Sequence, residues 1–284
     1  MNNLQKNRLK DQIFKFWGIS CTLIGLVLLF VFIGDILIDG LHRINWDFIT
    51  NLPSRKAEKS GIYTALMGSI WILCLTTLIA FPLGVAAGIY LEEYAKNSKL
   101  AGLLEINISN LAGVPSIIYG LLGLEVFVRI MNLGASVLSG SLTLSLLILP
   151  IIIVATRESV KAVPSSIKDA SYALGASKWQ TIWYQILPAS GGGILTGVIL
   201  ALSRAVGETA PLIVVGALAY VPFAPSNPMD EFSVLPIQIF NWISRPQSGF
   251  IENAAAAIII LLGVTFVMNG IAVYFRNKWQ KKLK

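Results

Sequence analysis

Two ionisable residues, Arg204 and Glu208, lie within a long apolar stretch of this sequence, 193–221. A charge near the middle of a bilayer costs roughly 2.5–3.5 kcal/mol on insertion scales, so such residues are rare in membrane helices and are usually functional. The i, i+4 spacing places both side chains on one helix face, where they can partly neutralise each other. One interpretation is an ion pair that only fixes helix packing. The other is a wet path in which the planar guanidinium of Arg204 binds oxyanion oxygens.

A second pair, Glu125 and Arg129, repeats this spacing near the outer end of another apolar stretch. An interfacial ion pair costs little, so this pair is the weaker candidate. The remaining reactive side chains are dispersed, since Cys21 and Cys74 lie inside apolar runs and His42 stands in a polar loop. No metal-ligand spacing, nucleophile–base set or Gly-x-x-x-x-Gly-Lys-Ser/Thr phosphate loop is found. The sequence therefore predicts a chain that is not an enzyme and that binds no metal and no cofactor.

The composition determines which elements must position these residues. The chain has 284 residues, of which 55% are hydrophobic and 13% charged, against about a quarter charged in soluble domains. Six stretches approach the roughly 20 apolar residues that cross a bilayer as a helix: 17–38, 65–91, 111–131, 139–156, 193–221 and 254–275. We therefore predict an all-α, polytopic membrane protein with six transmembrane helices. The fifth stretch is too long for one straight span, and an outer re-entrant turn would account for its excess.

Prolines distinguish the middle stretches from the outer two. Pro82, Pro115, Pro150 and Pro211 each interrupt one of spans two to five, whereas spans one and six contain none. Proline frees a backbone carbonyl that protein or water must satisfy. Ordinary helix kinks are one interpretation, and a pathway surrounded by spans two to five is the other.

Basic residues predict the orientation. The net charge of +7 comes from residues beside apolar segments, which argues against a nucleic-acid partner. Fifteen Lys and Arg residues lie on the side that holds both termini and five on the other, so both termini are predicted to be cytoplasmic. The first stretch is interpreted as an uncleaved anchor because its apolar core is too long for a signal peptide. We assign 1–60 to the tail, anchor and outer loop, 61–276 to the transport domain with a cytoplasmic loop at 157–188, and 277–284 to a basic tail.

The cytoplasmic loop contains a polar segment, 169–188, that is unusually ordered for a connection between spans. Pro164 can open a helix capped by Ser165 or Ser166, and Gly175 can end it in the left-handed conformation. A second helix, 177–186, carries an apolar stripe at i, i+3, i+4 and i+7: Trp179, Ile182, Trp183 and Ile186. This spacing alone fits an interfacial hairpin as well as a docking element.

The same segment resembles the EAA loop of ABC importer permeases. The family pattern is Glu-Ala-Ala, three residues, Gly, about nine residues and Ile-x-Leu-Pro. The matching residues here are Asp169-Ala170-Ser171, Gly175 and Ile186-Leu187-Pro188. Asp replaces Glu, Ser replaces the second Ala, and the Ile-x-Leu-Pro end is contracted to Ile-Leu-Pro. The stretches 61–69, 82–94, 114–121 and 204–212 resemble phosphate-specific permeases. The resemblance covers roughly 61–275, and Gly-Glu-Thr-Ala-Pro-Leu at 207–212 is similar to the PstA-type rather than the PstC-type subunit.

The resemblance implies a type I ABC importer permease of MetI-like fold in a bacterial inner membrane. It implies a coupling helix, formed by Asp169, Ala170, Ser171, Leu174 and Gly175, that docks into a groove on a cytosolic ATPase. It also implies a homologous second permease, two ATPase subunits that bind ATP and Mg²⁺, and an extracytoplasmic phosphate-binding protein. Arg204 and Glu208 would then lie on the phosphate path, where Glu208 orients Arg204 and keeps it from trapping the anion.

Two alternatives remain open at this stage. The cargo could be another oxyanion, such as sulfate or molybdate. A secondary transporter is also conceivable, although such proteins commonly show an internal repeat of spans, and no convincing repeat is visible here.

Overall fold

Every regular element in the described part of the chain is helical. The computed structural model describes residues 3–95, 98–217 and 220–281. Its helices are α1 (Asn3–Gly40), α2 (Trp46–Thr50), α3 (Tyr63–Ile89), α4 (Lys99–Leu111), α5 (Ser116–Gly123), α6 (Val137–Lys161), α7 (Ser165–Ala173), α8 (Lys178–Thr181), α9 (Leu187–Val206), α10 (Ala210–Val215), α11 (Leu235–Ile243) and α12 (Ser248–Lys281). π-helical turns follow α3, α5 and α8 at Tyr90–Tyr94, Leu124–Ile130 and Ile182–Ile186. The all-α prediction is confirmed.

Helix α6 lies at the centre, with α3 and α9 packed along it. Glycines allow the close approach, because a Cβ on Gly84 would lie 2.6 Å from Ile152 and one on Gly197 would lie 2.2 Å from Ala155. α1 packs mainly against α12, and most of its apolar side chains are exposed. Such faces suit lipid. This arrangement agrees with the interpretation that spans one and six lie outside the middle group.

The third predicted span is preceded by a sharp bend. The described residues contain five helices that are long and apolar enough to cross a membrane, and a sixth span only if a bent pair is counted as one. That pair consists of 102–111 and 116–130, which meet at 103°. Pro115 occupies the N-cap position of α5, where proline fits because it lacks an N–H group and its φ is fixed. Residues 116–130 of the predicted span at 111–131 therefore form one arm of this pair, and the bend that the sequence did not predict lies at the N-terminal edge of the span.

The prolines act differently from one another. Pro82 and Pro150 lie inside the continuous helices α3 and α6, so they interrupt neither span. The fifth apolar stretch breaks at Gly207–Thr209, and Pro211 lies in the first turn of α10 just beyond the break. Proline is favoured in a first turn because the N–H groups there lack helical partners. Pro211 therefore begins a helix and does not interrupt one.

A compact cap forms between the α1–α3 loop, α11 and the start of α12. Phe48, Trp242 and Phe250 are its largest buried rings. Arg43 crosses the cap, and its Nε donates to Asn253 Oδ1 at 2.7 Å while an Nη group donates to the Ala57 carbonyl at 2.9 Å. His42, expected to stand alone, lies 3.3 Å from a Glu252 carboxylate oxygen. The basic residues Lys96, Lys282 and Lys284, which enter the predicted orientation, lie outside the described residues.

Candidate functional site

Arg204 and Glu208 form the ion pair that their spacing predicts. Arg204 lies in the last turn of α9, and its Nε donates to Glu208 Oε1 at 3.2 Å. The Arg204 side chain is 42% exposed and that of Glu208 15%. Among the described residues, neither Nη group of Arg204 has a hydrogen-bond partner. The guanidinium therefore presents its outer edge, with its donors available to a ligand.

The pair lies at the end of a helix, and this differs from the expectation of two residues within one span. α9 ends at Val206, and Glu208 follows in the break before α10, where its N–H donates to the Ala205 carbonyl at 3.3 Å. On its inner side Glu208 borders a small cavity lined from α3 by Ser69, Ile72 and Leu73. Backbone groups freed by such a break at membrane depth need protein or water as partners.

A second helix break packs beside the first. α5 contacts α10 so closely that a Cβ on Gly120 would lie 2.7 Å from Pro211 Cα. The neighbouring Tyr119 hydroxyl donates to the Leu111 carbonyl at 2.8 Å and bridges the bend between α4 and α5. Tyr119 is also close enough to interact electrostatically with Arg204. Two discontinuous helices therefore meet near the charged pair, and transporter binding sites are typically built from such helices.

Glu125 and Arg129 also form their predicted ion pair, with Arg129 Nη1 2.9 Å from Glu125 Oε2. Both side chains are more than half exposed, and they lie in the π-helical turns after α5. Within the described residues, no hydrogen bond or ion pair connects them to Arg204 or Glu208. The two pairs are therefore separate features.

The segment Asp169–Gly175 borders an open groove on the loop between α6 and α9. The groove has a volume of about 720 Å³ and is lined on this side by Ala170, Ser171, Leu174 and Gly175. Leu174 is 90% exposed at the tip, and Asp169 is exposed beside the groove. Gly175 has φ = +83°, so the left-handed end of α7 is confirmed. The predicted serine cap is wrong, because Pro164 occupies the N-cap position and offers no side-chain acceptor.

Helix α7 and the helical segment 178–186 form a hairpin around Gly175. Its second arm begins with a capping box that was not predicted from the sequence. Ser177 accepts from the Gln180 N–H, and the Gln180 side chain accepts from the Ser177 N–H. The Ser-x-x-Gln pattern is the sequence signal that identifies it. The predicted apolar stripe divides, since Ile182 and Ile186 are buried whereas Trp179 and Trp183 are exposed and stacked at 5.7 Å.

Two partly buried groups of ion pairs, which the sequence did not predict, connect the region of α7 and α8 to the spans. Lys168 of α7 binds the Glu93 carboxylate in the π-helical turns after α3. Arg157 of α6 binds Glu92 at 3.2 Å and also Glu105 of α4. In the sequence, Arg157 and Lys168 are visible only as basic flanks, because their partners come from elements distant in the chain.

Further contacts converge on the same turn. Lys178 of α8 lies 4.6 Å from the centre of the Tyr94 ring, within cation–π distance. Burial raises the pKa of the Tyr172 hydroxyl, and the negative charge of Glu93 raises it further. Both arms of the hairpin therefore contact the end of α3. No group of three or more His, Cys, Asp or Glu side chains in the described ranges is placed to hold a metal ion.

A family model described as "Binding-protein-dependent transport system inner membrane component" matches residues 80–281. The chain is 32% identical to the probable ABC transporter permease protein YqgI of Bacillus subtilis, over 88% of this chain and 90% of that protein. It is 34% identical to the phosphate transport system permease protein PstA of Haemophilus influenzae, over 90% of each. A chain of similar fold occurs in the crystal structure of a bacterial alginate ABC transporter in complex with an alginate-bound periplasmic protein. The TM-score is 0.68 at 14% identity, and the match covers 95% of this chain and 96% of that one.

Proposed function

We propose that this chain, which belongs to the family of binding-protein-dependent transport system inner membrane components, carries inorganic phosphate. The chain is a membrane-spanning permease subunit of an ABC importer, and such a subunit is not catalytic. The name of the Haemophilus influenzae relative, which includes phosphate transport, supports the choice of cargo. The expectation that ATP and Mg²⁺ bind to partner chains and not to this one belongs to the same proposal.

The exposed guanidinium of Arg204 is the single observation that carries the proposal. Its Nε is engaged by Glu208, so its Nη groups can bind two oxygens of a tetrahedral anion side by side. A guanidinium is always charged and its fork fits phosphate geometry, which makes it suitable at a site that must bind in each cycle. Glu208 holds the fork in orientation and partly neutralises it, so that the anion is bound weakly enough to leave.

We further propose that the chain functions with a homologous second permease, two ATPase subunits and an extracytoplasmic phosphate-binding protein. The exposed part of Arg204 supports the second permease, because a charge at membrane depth needs protein or water against it. The exposed tip of α7, where Leu174 is 90% exposed and Asp169 is also exposed, supports docking to an ATPase, which requires that α7 and both termini be cytoplasmic. The excess of basic residues on that side supports this orientation.

The proposal is tested by phosphate uptake in a host that lacks its own phosphate importers and expresses this chain with its partner subunits. Arg204→Gln removes the charged fork, and a hydrogen bond to a charged group contributes about 1.5–3 kcal/mol. Since about 1.4 kcal/mol corresponds to a tenfold change, uptake should fall about tenfold to a hundredfold. Arg129→Gln removes a guanidinium with the same i, i+4 geometry away from the site and should leave uptake unchanged.

Assembly is checked by copurification of the partner subunits with each variant. Wild-type uptake by Arg204→Gln in an assembled complex would refute the role of Arg204. Uptake of labelled sulfate or molybdate in place of phosphate by the wild-type complex would refute the proposed cargo.

A further inference from the structure

The end of α3 is the point at which the hairpin that borders the groove joins the membrane body. Glu92, Glu93 and Tyr94 are consecutive, and each contacts a different element. Glu92 is held by Arg157 of α6, Glu93 by Lys168 of α7, and the Tyr94 ring by Lys178 of α8. Because these residues lie in π-helical turns, their side chains diverge from the regular i, i+4 rows of the helix.

We propose that the Glu93–Lys168 ion pair is a positioning link that transmits movement of the α7 helix to α3 during transport. This inference rests on the proposed function in one respect, namely that an ATPase docks on the exposed tip of α7. It concerns transmission through this chain and does not depend on the identity of the cargo.

The Glu93–Lys168 pair lies directly beside the segment Asp169–Gly175. Lys168 directly precedes Asp169 in α7, so the ion pair lies in the same helical turn as the start of the segment Asp169–Gly175, on which the ATPase is proposed to dock. Lys168 is 17% exposed and Glu93 6%, so water screens their attraction poorly. Separating the two side chains would leave each partly buried charge uncompensated, which disfavours separation of α7 from the end of α3. Displacement of α7 should therefore move the end of α3 with it.

The other end of α3 lies beside Glu208. Ser69, Ile72 and Leu73 of α3 line the small cavity that borders Glu208. The helix continues from there through Ile89 into the π-helical turns that hold Glu93. At 1.5 Å per residue, the distance along the axis from Ser69 to Glu93 is about 36 Å. One rod therefore connects the α7 contact to the helix break that contains Glu208.

The experiment uses the whole complex in lipid nanodiscs and a reporter in that break. With Cys21→Ser and Cys74→Ser removing the native thiols, Thr209→Cys is labelled by a water-soluble maleimide without nucleotide and with ATP, Mg²⁺ and vanadate. The ratio of the two rates measures the ATP-dependent movement at the break and requires no phosphate. Phosphate import is measured separately, so a failure of the proposed cargo would leave this readout intact.

Lys168→Met and Glu93→Gln should each reduce the ATP-dependent change in labelling about tenfold, the size of a typical coupling between sites. ATP hydrolysis and copurification of the ATPase subunits should persist. The double exchange Glu93→Lys with Lys168→Glu should restore the change, because the attraction between opposite charges is what the link requires, while intact ATP hydrolysis and copurification in the single variants exclude a purely structural defect. The matched control is Lys161→Met, since Lys161 pairs with Glu158 at 3.9 Å on an exposed surface of α6.

Several results would overturn the inference. These are a wild-type ratio in both single variants, a charge exchange that recovers nothing, or a Lys161→Met variant as defective as Lys168→Met. Loss of the ATPase subunits from the Lys168→Met complex would assign the pair to docking and not to transmission. The inference would also fail if ATP did not change the labelling of Thr209→Cys in the complex with Glu93 and Lys168 intact, because α3 would then transmit no movement to the break.

Discussion

The contact between α5 and α10 gives a prediction whose magnitude follows from the structure. A Cβ placed on Gly120 lies 2.7 Å from Pro211 Cα and 3.0 Å from the Pro211 carbonyl oxygen. Carbon atoms prefer a separation of about 3.5–4.0 Å, so the Gly120→Ala variant requires a displacement of about 0.8 Å. The opposing atoms belong to the backbone and cannot rotate away, so the two helices must separate.

Overpacking of this kind costs about 1–3 kcal/mol, partly offset by the roughly 0.5–1 kcal/mol by which Ala favours a helix over Gly. The expected net loss in the free energy of unfolding is about 0–2.5 kcal/mol, and because the control variant Gly102→Ala shares the helix-propensity gain, the two variants should differ by the full overpacking cost of about 1–3 kcal/mol. Gly102→Ala in α4 is the matched control, since no atom lies within 4 Å of its added Cβ. That variant should gain about 0.5–1 kcal/mol from helix propensity alone.

The assay is thermal unfolding of both purified variants in the same detergent. A difference of 1 kcal/mol shifts Tm by about 2–4 °C in chains of roughly this size, so Gly120→Ala should melt several degrees below Gly102→Ala. Phosphate uptake should fall in Gly120→Ala as well, because α10 begins directly after the break that holds Glu208. If both variants melted at the same temperature, the close packing of α5 on α10 would be wrong.

Three other predictions concern the loops. Gly175→Ala should cost about 1–2 kcal/mol because a Cβ is disfavoured at positive φ, and Gly175→Asn should cost less; hydrogen exchange over 165–177 measures both. Arg43→Met removes hydrogen bonds across the cap formed by the α1–α3 loop, α11 and the start of α12, and should destabilise it by roughly 1.5–3 kcal/mol. Proteases should then cleave the α1–α3 loop faster, whereas the control Arg55→Met, at an exposed position, should match the wild type. The Ser226 and Asn227 N–H groups donate to the Asp230 carboxylate and lower its pKa. The turn 226–230 is therefore fully stabilised at pH values above the ordinary pKa of a carboxyl group, and it loosens as the pH falls through the lowered pKa. In Asp230→Asn, the rate of proteolysis in this turn should no longer depend on acid pH.

The sequence predicted those features that depend on spacing within one element. The ion pairs Arg204–Glu208 and Glu125–Arg129 form because residues four apart meet on one helix face. The left-handed end of α7 at Gly175 follows from glycine's freedom at positive φ. These arguments are local, so they require no knowledge of the fold.

The features that escaped prediction depend on packing between elements. The partners of Arg157 and Lys168 come from α3 and α4, and no spacing along the chain relates them. The bend before α5 escaped because proline was expected to kink a continuous span, whereas Pro115 lies between two separate helices. Pro82 shows the opposite outcome, since neighbouring helices let a long membrane helix tolerate a proline without breaking.

Arg204 gives a physical reason why this chain should not form a transport path alone. Its side chain is 42% exposed, and the described residues provide Glu208 as its one ion-pair partner. At the membrane depth that we propose for Arg204, the exposed part would face lipid in an isolated chain, and a charge at mid-membrane costs roughly 2.5–3.5 kcal/mol. A second permease placed against the same face would replace lipid with protein and water, and would also supply partners for backbone groups at the two helix breaks. The proposed second permease would therefore satisfy the same groups that disfavour the isolated chain in a bilayer.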